Sequence, residues 1–462
     1  MDSLARPIVT HAPGAHDAPV AVRTAATDSE IAAAGALTAE AYHADRLIND
    51  DDEYADELRD ASRREREATL LVAVVPAAGG DVVVGTITLA PAGSSYAEVA
   101  GPGEVELRML GVAPEARRRG IAEALMRASM RETVALGAGA VVLSTLDTMT
   151  TAQRLYDRLG FRREPDRDWG HEGVAVRVYS WHVPPAPGVR IESSTWRPVE
   201  VRDVGGWQVG MSGGFTRRAN SAVPAHGPDV RETPLEVTLD AVEECYREAG
   251  YPSVVRVCRS SGDDALDDVL AARGYTVASR TWVMVLDLPT TVVTVRPDAE
   301  TSDSAATDDA DVDAGGLRVA PGRTGAVSPD LRVALADEPD AEWLACWLAV
   351  KTDAVEPDAV VARAVVTGSP ALYLAARDHD GVVGVLRAAW ADDWVGLSCL
   401  AVSTRARGHG LARTLTAVAL EIATGRGARH AFLQVEDENA GARRLYESLG
   451  FVPAERYHYR ER

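Results

Sequence analysis

The alternation of apolar and polar residues predicts strands and helices in a fixed order. Val105-Glu-Leu-Arg-Met-Leu-Gly-Val112 changes character at nearly every step, the two-residue period of a strand with one buried face. A loop rich in Arg and Gly follows, then a helical stretch over Ile121–Leu136. The apolar run Ala140–Ser144 predicts a buried strand. The Leu-Tyr segment after it predicts a helix closed by Gly160, a residue suited to a left-handed C-cap. Farther along, Val395–Val402, Leu411–Thr424, Ala431–Val435 and a second Leu-Tyr helix ending at Gly450 repeat this order. Each set is preceded by a predicted hairpin: Leu70–Val75 with Val82–Leu89 around Gly-Gly-Asp, and Leu372–Ala376 with Val382–Ala388 around Asp380-Gly381. The expected fold class is α/β (α+β type) with mixed sheets.

The two sets read as one unit written twice. Val112–Phe161 aligns with Val402–Phe451 at a constant offset of 290 residues and without a gap. Ala152-Gln-Arg-Leu-Tyr-Asp-Arg-Leu-Gly-Phe161 pairs with Ala442-Arg-Arg-Leu-Tyr-Glu-Ser-Leu-Gly-Phe451, and Ala116-Arg-Arg-Arg-Gly-Ile-Ala122 with Ala406-Arg-Gly-His-Gly-Leu-Ala412. Chance explains two matches at one offset poorly, so two copies of one fold are expected. Between them, Val254–Cys258 reads as a strand, Ala265–Tyr275 as a worn Leu-Tyr helix and Thr281–Leu288 as a further strand. No Arg/Gly loop precedes this stretch, which therefore reads as half of the same fold without its anion site. Pro184–Gly188 reads as a linker. Asp298–Asp313, with seven acidic residues and no basic one, reads as a disordered spacer. The expected organisation is a tail (1–19), a domain (20–183), a linker (184–194), a degenerate half-domain (195–288), an acidic linker (289–330) and a second domain (331–462).

Composition narrows the partners more than the fold. With 48 basic and 69 acidic side chains the net charge is −21, and nucleic acid is not expected as the main partner. The four cysteines are scattered and form no Cys-x-x-Cys pair, so neither a disulfide framework nor a metal site is expected, and a reducing cytoplasm fits. The first twenty residues lack a signal-peptide core, and no apolar run of about 18 residues predicts a membrane span.

The candidate chemistry gathers at the repeated loop. Arg117-Arg-Arg-Gly-Ile-Ala122 joins a strand to a helix N-terminus, where unpaired N–H groups and the helix dipole favour an anion. Three arginines there are unfavourable without an anion, and Gly120 permits close backbone approach. Together they describe a pyrophosphate cradle. Arg407-Gly-His-Gly-Leu-Ala412 offers the same cradle with less charge and more glycine. Tyr156 and Tyr446 each follow the loop glycine, Gly120 or Gly410, by 36 residues. That spacing suits a core tyrosine and a proton donor to a departing thiolate equally. Glu106, on the strand before the first loop, reads either as a solvent-facing Glu or as a base for an amine. The second copy has Gly396 at that place, with Asp392 and Asp393 nearby.

On these residues both copies resemble the GNAT superfamily of acetyl-CoA-dependent N-acetyltransferases. The family's Arg/Gln-x-x-Gly-x-Gly/Ala signature is met by Arg117-x-x-Gly120-x-Ala122 and Arg407-x-x-Gly410-x-Ala412. Its Ala-x-x-Leu-Tyr-x-x-x-Gly-Phe motif is met by Ala152–Phe161 and Ala442–Phe451. Asn439 fits the family's usual Asn before that helix, where the first copy has Met149. Trp196-Arg-Pro and Gly213–Ser221 resemble actinobacterial tandem GNAT proteins, in which a degenerate half precedes an intact C-terminal domain.

The resemblance implies a repeated GNAT fold with mostly antiparallel mixed sheets. It further implies acetyl-CoA as acyl donor and a primary amine of a small molecule or protein as acceptor, with neither nucleic acid nor membrane involved. Backbone groups of Leu110, Gly111 and Val112, and of Leu400, Ala401 and Val402, would meet the thioester and the pantetheine arm. Arg117, Arg118, Arg119, Gly120, Ile121 and Ala122 would bind pyrophosphate, as would Arg407, Gly408, His409, Gly410, Leu411 and Ala412, with Asn439 as a further cofactor contact. Tyr156 and Tyr446 would be general acids, and Glu106 or a water the base. Ala41–Glu65 and Trp343–Arg363 would shape the acceptor sites. A different class of function is an acetyl-CoA sensor or scaffold in which one copy does not turn over. A third expectation has the middle half packing on the C-terminal copy and walling its acceptor cleft.

Overall fold

The computed structural model describes residues 20–49, 53–171, 174–224, 234–258, 263–289, 317–318, 331–350 and 359–462. The expected tail 1–19 and the acidic run 298–313 lie outside them. The chain divides into two compact units, Met1–Val183 and Pro184–Arg462.

The first unit contains β1 (Ala21–Thr24), α1 (Asp28–Ala44), α2 (Tyr54–Arg59), α3 (Ala61–Glu67), β2 (Thr69–Ala77), β3 (Gly80–Pro91), β4 (Glu104–Val112), α4 (Ile121–Ala135), β5 (Ala140–Leu146), α5 (Thr150–Arg158), β6 (Arg162–Arg163), β7 (Trp169–His171) and β8 (Val174–His182). Helix α1 starts where the Thr27 hydroxyl accepts from the Glu30 N–H at 3.2 Å, a side-chain N-cap. The strands form one sheet in the order β1-β2-β3-β4-β5-β8-β6, with β7 on β8, and only β4 and β5 run parallel. Val105, Leu107, Val141 and Leu143 are buried between the sheet and its helices.

The second unit contains α6 (Gly188–Thr195), β9 (Glu200–Val204), β10 (Trp207–Met211), β11 (Ala222–Val223), α7 (Leu235–Ala249), β12 (Val254–Cys258), α8 (Asp264–Ala272), β13 (Thr276–Asp287) and β14 (Leu317–Arg318). It continues with β15 (Arg332–Ala336), α9 (Ala341–Leu348), α10 (Ala359–Thr367), β16 (Ala371–Asp378), β17 (Gly381–Ala391), β18 (Trp394–Val402), α11 (Leu411–Gly425), β19 (His430–Glu436), α12 (Ala440–Ser448) and β20 (Val452–Glu461). All of its strands join one sheet in the order β14-β15-β16-β17-β18-β19-β13-β20-β12-β11-β10-β9.

That order exchanges strands between the middle half and the C-terminal copy. β13 follows the worn helix α8, yet it lies between β19 and β20 and pairs antiparallel with both. It takes beside β19 the place that β8 takes beside β5. β20, the last strand of the second copy, pairs in turn with β12 of the middle half. The stretch 195–288, expected as a half-fold of its own, therefore shares one continuous sheet with 331–462. Residues 188–194, expected as linker, belong to helix α6, because Ile191, Glu192 and Thr195 are buried.

Candidate functional site

In each copy two parallel strands run together and then part. β4 pairs β5 only from Glu104–Leu107 against Ala140–Leu143, and β18 pairs β19 only from Trp394–Leu397 against His430–Leu433. On the other side of β4 and β18 the ladder slips, between Thr86 and Thr88 on β3 and between Val385 and Arg387 on β17. Opposite each slip a residue turns left-handed: Met109 at φ 54° and Cys399 at φ 58°. These two bulges sit at the same 290-residue offset, and each stores about 1–2 kcal/mol of backbone strain. Beyond them, Gly111 and Val112 and their counterparts Ala401 and Val402 stay paired only to the outer strand. With Leu110 and Leu400, they leave backbone polar groups along the edge of a wedge-shaped gap.

The gap leads to the Arg/Gly loop. A short 3-10 turn, Pro114–Ala116 or Thr404–Ala406, is followed by a left-handed residue, Arg118 at φ 62° or Gly408 at φ 81°. Gly120 and Gly410, at φ 75° and 78°, are the N-caps of α4 and α11 and supply no side-chain cap. The first-turn amides of Ile121 and Ala122, and of Leu411 and Ala412, therefore gain no side-chain acceptor from the cap. A Cβ built at Gly120, Gly408 or Gly410 would meet nothing within 4 Å. Alternating left-handed residues, bare helix amides and open space in front of them fit a phosphate group.

The basic side chains of the loop divide their roles. Arg117 holds Asp45 with Nη1 and Nη2 at 2.7 and 3.1 Å, and its Nε lies 3.4 Å from the Val112 carbonyl. Arg407 repeats the Nε bond, to the Val402 carbonyl at 3.1 Å. Both therefore brace the loop against the end of the strand. Arg118 is exposed and Arg119 half-buried, and His409, at the matching place, is exposed. Asn439 caps α12, its Oδ1 accepting from the Ala442 N–H at 3.1 Å. Met149 opens α5 without such a cap.

Tyr156 and Tyr446 occupy matching places on α5 and α12. Tyr156 is 6% exposed, with the Phe161 and Tyr179 rings at 6.0 and 5.6 Å, and burial pushes its hydroxyl up to about 12. Tyr446 is 8% exposed beside Phe451 at 5.8 Å, and burial raises its hydroxyl as well. Both phenols stay protonated in neutral water, as a proton donor must.

Glu106 is fully buried, and the structure binds it to a loop. Its Oε2 accepts from the N–H groups of Glu98, Val99 and Ala100 at 2.7, 2.7 and 3.1 Å. Its Oε1 faces Arg108 Nη1 at 3.4 Å, and that guanidinium also holds Glu98 at 2.6 Å. A carboxylate so engaged anchors the loop to β4, and it is not the solvent-facing Glu of one of the two readings. In the second copy, a Cβ at Gly396 would come within 2.9 Å of the Phe432 ring and 3.0 Å of Thr195 Oγ1. Helix α6 lies there instead of a strand side chain. Neither the bulge at Met109 and Cys399 nor this helix was visible in the residue pattern. The constant offset was the signal that could have paired the bulges.

None of the four cysteines forms a disulfide. Asp378, His379 and Asp380 cluster on the turn between β16 and β17, where Arg405 already bonds both carboxylates. Among the described residues no helix is long and apolar enough to cross a membrane.

Parted strands with a bulge, leading to a glycine cradle at a helix N-terminus, form one α/β architecture that is present here twice. Comparison with known proteins places it. Residues 36–161 match the family described as Acetyltransferase (GNAT) family, and residues 275–460 match that described as Probable histone acetyltransferase Rv0428c C-terminal. The second match begins at the exchanged strand β13. The chain belongs to the GNAT acetyltransferase family and carries its fold in tandem.

An uncharacterized N-acetyltransferase YobR of Bacillus subtilis (strain 168) is 41% identical over 69 residues, 15% of this chain and 28% of that protein. A mycothiol acetyltransferase of Beutenbergia cavernae is 42% identical over 86 residues, 18% of this chain and 28% of that protein. The match thus spans little more than a quarter of either curated relative. A solved GCN5-related N-acetyltransferase from Kribbella flavida is 19% identical with a TM-score of 0.40, covering 60% of this chain and 96% of that one.

Proposed function

We propose that the chain transfers an acetyl group from acetyl-CoA to a primary amine, and that each copy is an acetyl-CoA site. One observation carries this reading: parted strands, left-handed bulge and glycine cradle recur at a single offset of 290 residues. Bound acetyl-CoA supplies the thioester carbonyl and a thiolate leaving group. The bulged strands after Met109 and Cys399 present backbone N–H groups that orient and polarise that carbonyl. The cradles at Gly120 and Gly410 hold the pyrophosphate, with Arg118 and Arg119 adding charge in the first copy. Tyr156 and Tyr446 give their hydroxyl protons to the departing sulfur. In the first copy Glu106 positions the loop bordering the cleft, and water takes the proton of the amine. Holding amine and thioester together supplies much of the rate.

The acceptor is a primary amine of a small molecule or a protein; the name of the family matched by residues 275–460 puts protein amines on the test panel. Thiol release from acetyl-CoA, measured with a panel of amines and basic peptides, tests the reading. Amine-dependent release above background hydrolysis is expected, and release indifferent to every amine would overturn it.

A further inference from the structure

The second copy has no carboxylate on its strand at the Glu106 position, yet one stands beside that place. Helix α6 crosses β18 at Gly396, where only a glycine leaves room. The helix is fixed by fully buried Arg387, which donates to the carbonyls of Thr195 and Val366 at 2.8 Å each and to Ser369 Oγ at 2.7 Å. One turn back, Glu192 is 5% exposed and accepts from Gln434 Nε2 at 2.6 Å. Gln434 is the first residue of β19 past the last rung of its ladder with β18, Leu397 against Leu433. It shares a sheet face with Phe432 two residues before it, the face on which Gly396 lies. Through Gln434, Glu192 therefore reaches the face of β19 just past its last rung with β18, the face on which Gly396 stands at the place of Glu106 in the first copy.

Glu192 also lines a hollow with Trp196, Arg218, Ser221, Arg256 and Tyr459. Trp196 and Ser221 are 5% and 3% exposed, and the indole N–H and the hydroxyl have no hydrogen-bond partner among the described residues. Buried polar groups are rarely left unpaired, and these two sit beside an open hollow. Arg218 stacks over the Trp196 ring at 4.8 Å. Arg256 pairs with Glu192 and, at 3.2 Å, with Glu455, so that one guanidinium is shared by two carboxylates. Burial holds Glu192 above the ordinary carboxylate range, against the pull of Arg256.

We propose that Glu192, carried on a helix of the middle half, is the amine-side carboxylate of the C-terminal site. The hollow takes a primary amine bearing a hydrogen-bond acceptor a few bonds from its nitrogen. The proposal rests on the reading of the second copy as an acetyl-CoA site. The ammonium of the acceptor pairs with the carboxylate. One proton moves from R–NH3+ to a Glu192 oxygen, leaving a neutral amine and a neutral carboxylic acid. The acceptor atom meets the Trp196 N–H and the Ser221 hydroxyl.

The test uses the full chain carrying Gly120→Glu, so that only the second loop binds CoA, with 2-methoxyethylamine and its isostere n-butylamine as probes. Turnover of the ether amine is expected to exceed that of butylamine about tenfold, the worth of one hydrogen bond. Trp196→Phe should narrow that ratio to about threefold or less. Glu192→Gln keeps the shape and the Gln434 contact. It should lower turnover about 100-fold or more with CoA binding held, while the loss of its buried pair with Arg256 lowers the thermal midpoint. Ligand-observed NMR with 2-methoxyethylamine and no acyl donor should show binding to the parent and its loss in Glu192→Gln. If the parent does not bind CoA at the second loop, the acetyl-CoA reading fails and this inference with it. If CoA binds but Glu192→Gln keeps both turnover and the NMR signal, or the two amines react equally, the inference alone is overturned.

Discussion

The two GNAT copies agree in backbone and differ in what covers the cleft. Both part their parallel strands after the fourth rung, both turn left-handed at the bulge, and both end at a bare glycine N-cap. The first copy closes its cleft with its own chain, through Glu106 and the backbone of residues 98–100. The second has Gly396 there and accepts helix α6 from the middle half, held by Arg387. The shared feature is thus written in backbone dihedrals, and the difference lies in the side chains and helix that cover the cleft. The copies borrow differently as well. The first completes its sheet with β8, which follows β5 in the chain, whereas the second takes β13 from upstream of its own strands.

The largest effect that would break this comparison concerns folding. A fragment of residues 331–462 lacks β13, so β19 and β20 lose the strand between them. It should fail to fold cooperatively, whereas a 1–183 fragment should fold; circular dichroism and size-exclusion chromatography read both. A soluble, cooperatively unfolding 331–462 fragment would refute the strand exchange.

Next in size, Tyr156→Phe and Tyr446→Phe should each lower turnover at their own site by about 100-fold or more, measured with the other loop blocked, while thermal midpoints stay close to the parent. Burial holds Tyr156 near 12, so its phenol adds no falling limb to the pH–rate profile until pH approaches that value. A phenylalanine variant with unchanged turnover would remove that tyrosine from the mechanism.

A third variant sharpens the contrast between Glu106 and Gly396. Glu106→Gln loses charge-assisted bonds to three backbone N–H groups and should cost the first unit about 2–3 kcal/mol. Differential scanning calorimetry should show that loss, and a neutral result would show that the loop holds without the carboxylate. The smallest effect is at Arg118, left-handed where the second copy has Gly408. Arg118→Gly should stabilise the first unit by about 1 kcal/mol and weaken its CoA affinity, as denaturant titration and calorimetry would show.

Part of this was legible in the residues. The strand, loop and helix around Gly120 and Gly410 are contiguous, so their pattern and the constant offset expose them directly. A glycine before an apolar run announces a left-handed N-cap, because side chains rarely adopt that conformation. Arg118 adopts it without any such sign, and so do Met109 and Cys399, which look like ordinary members of alternating strands. The exchange of β13 was hidden for a different reason. Alternation fixes which face of a strand is buried but not which strand lies beside it. Helix α6 was masked by Pro184-Pro-Ala-Pro-Gly188, which reads as a linker although Ile191, Glu192 and Thr195 just beyond it are buried. Glu106 was placed on the right strand, but the partners of its carboxylate lie on the loop six to eight residues before it, whose path no periodicity reveals.

The central claim is that one chain holds two acyl-CoA cradles. Calorimetric titration of CoA tests it most directly. The account predicts two equivalents bound per chain, one after Gly120→Glu, one after Gly410→Glu, and none in the double variant. A single equivalent in the parent, or a stoichiometry that either substitution leaves unchanged, would contradict it.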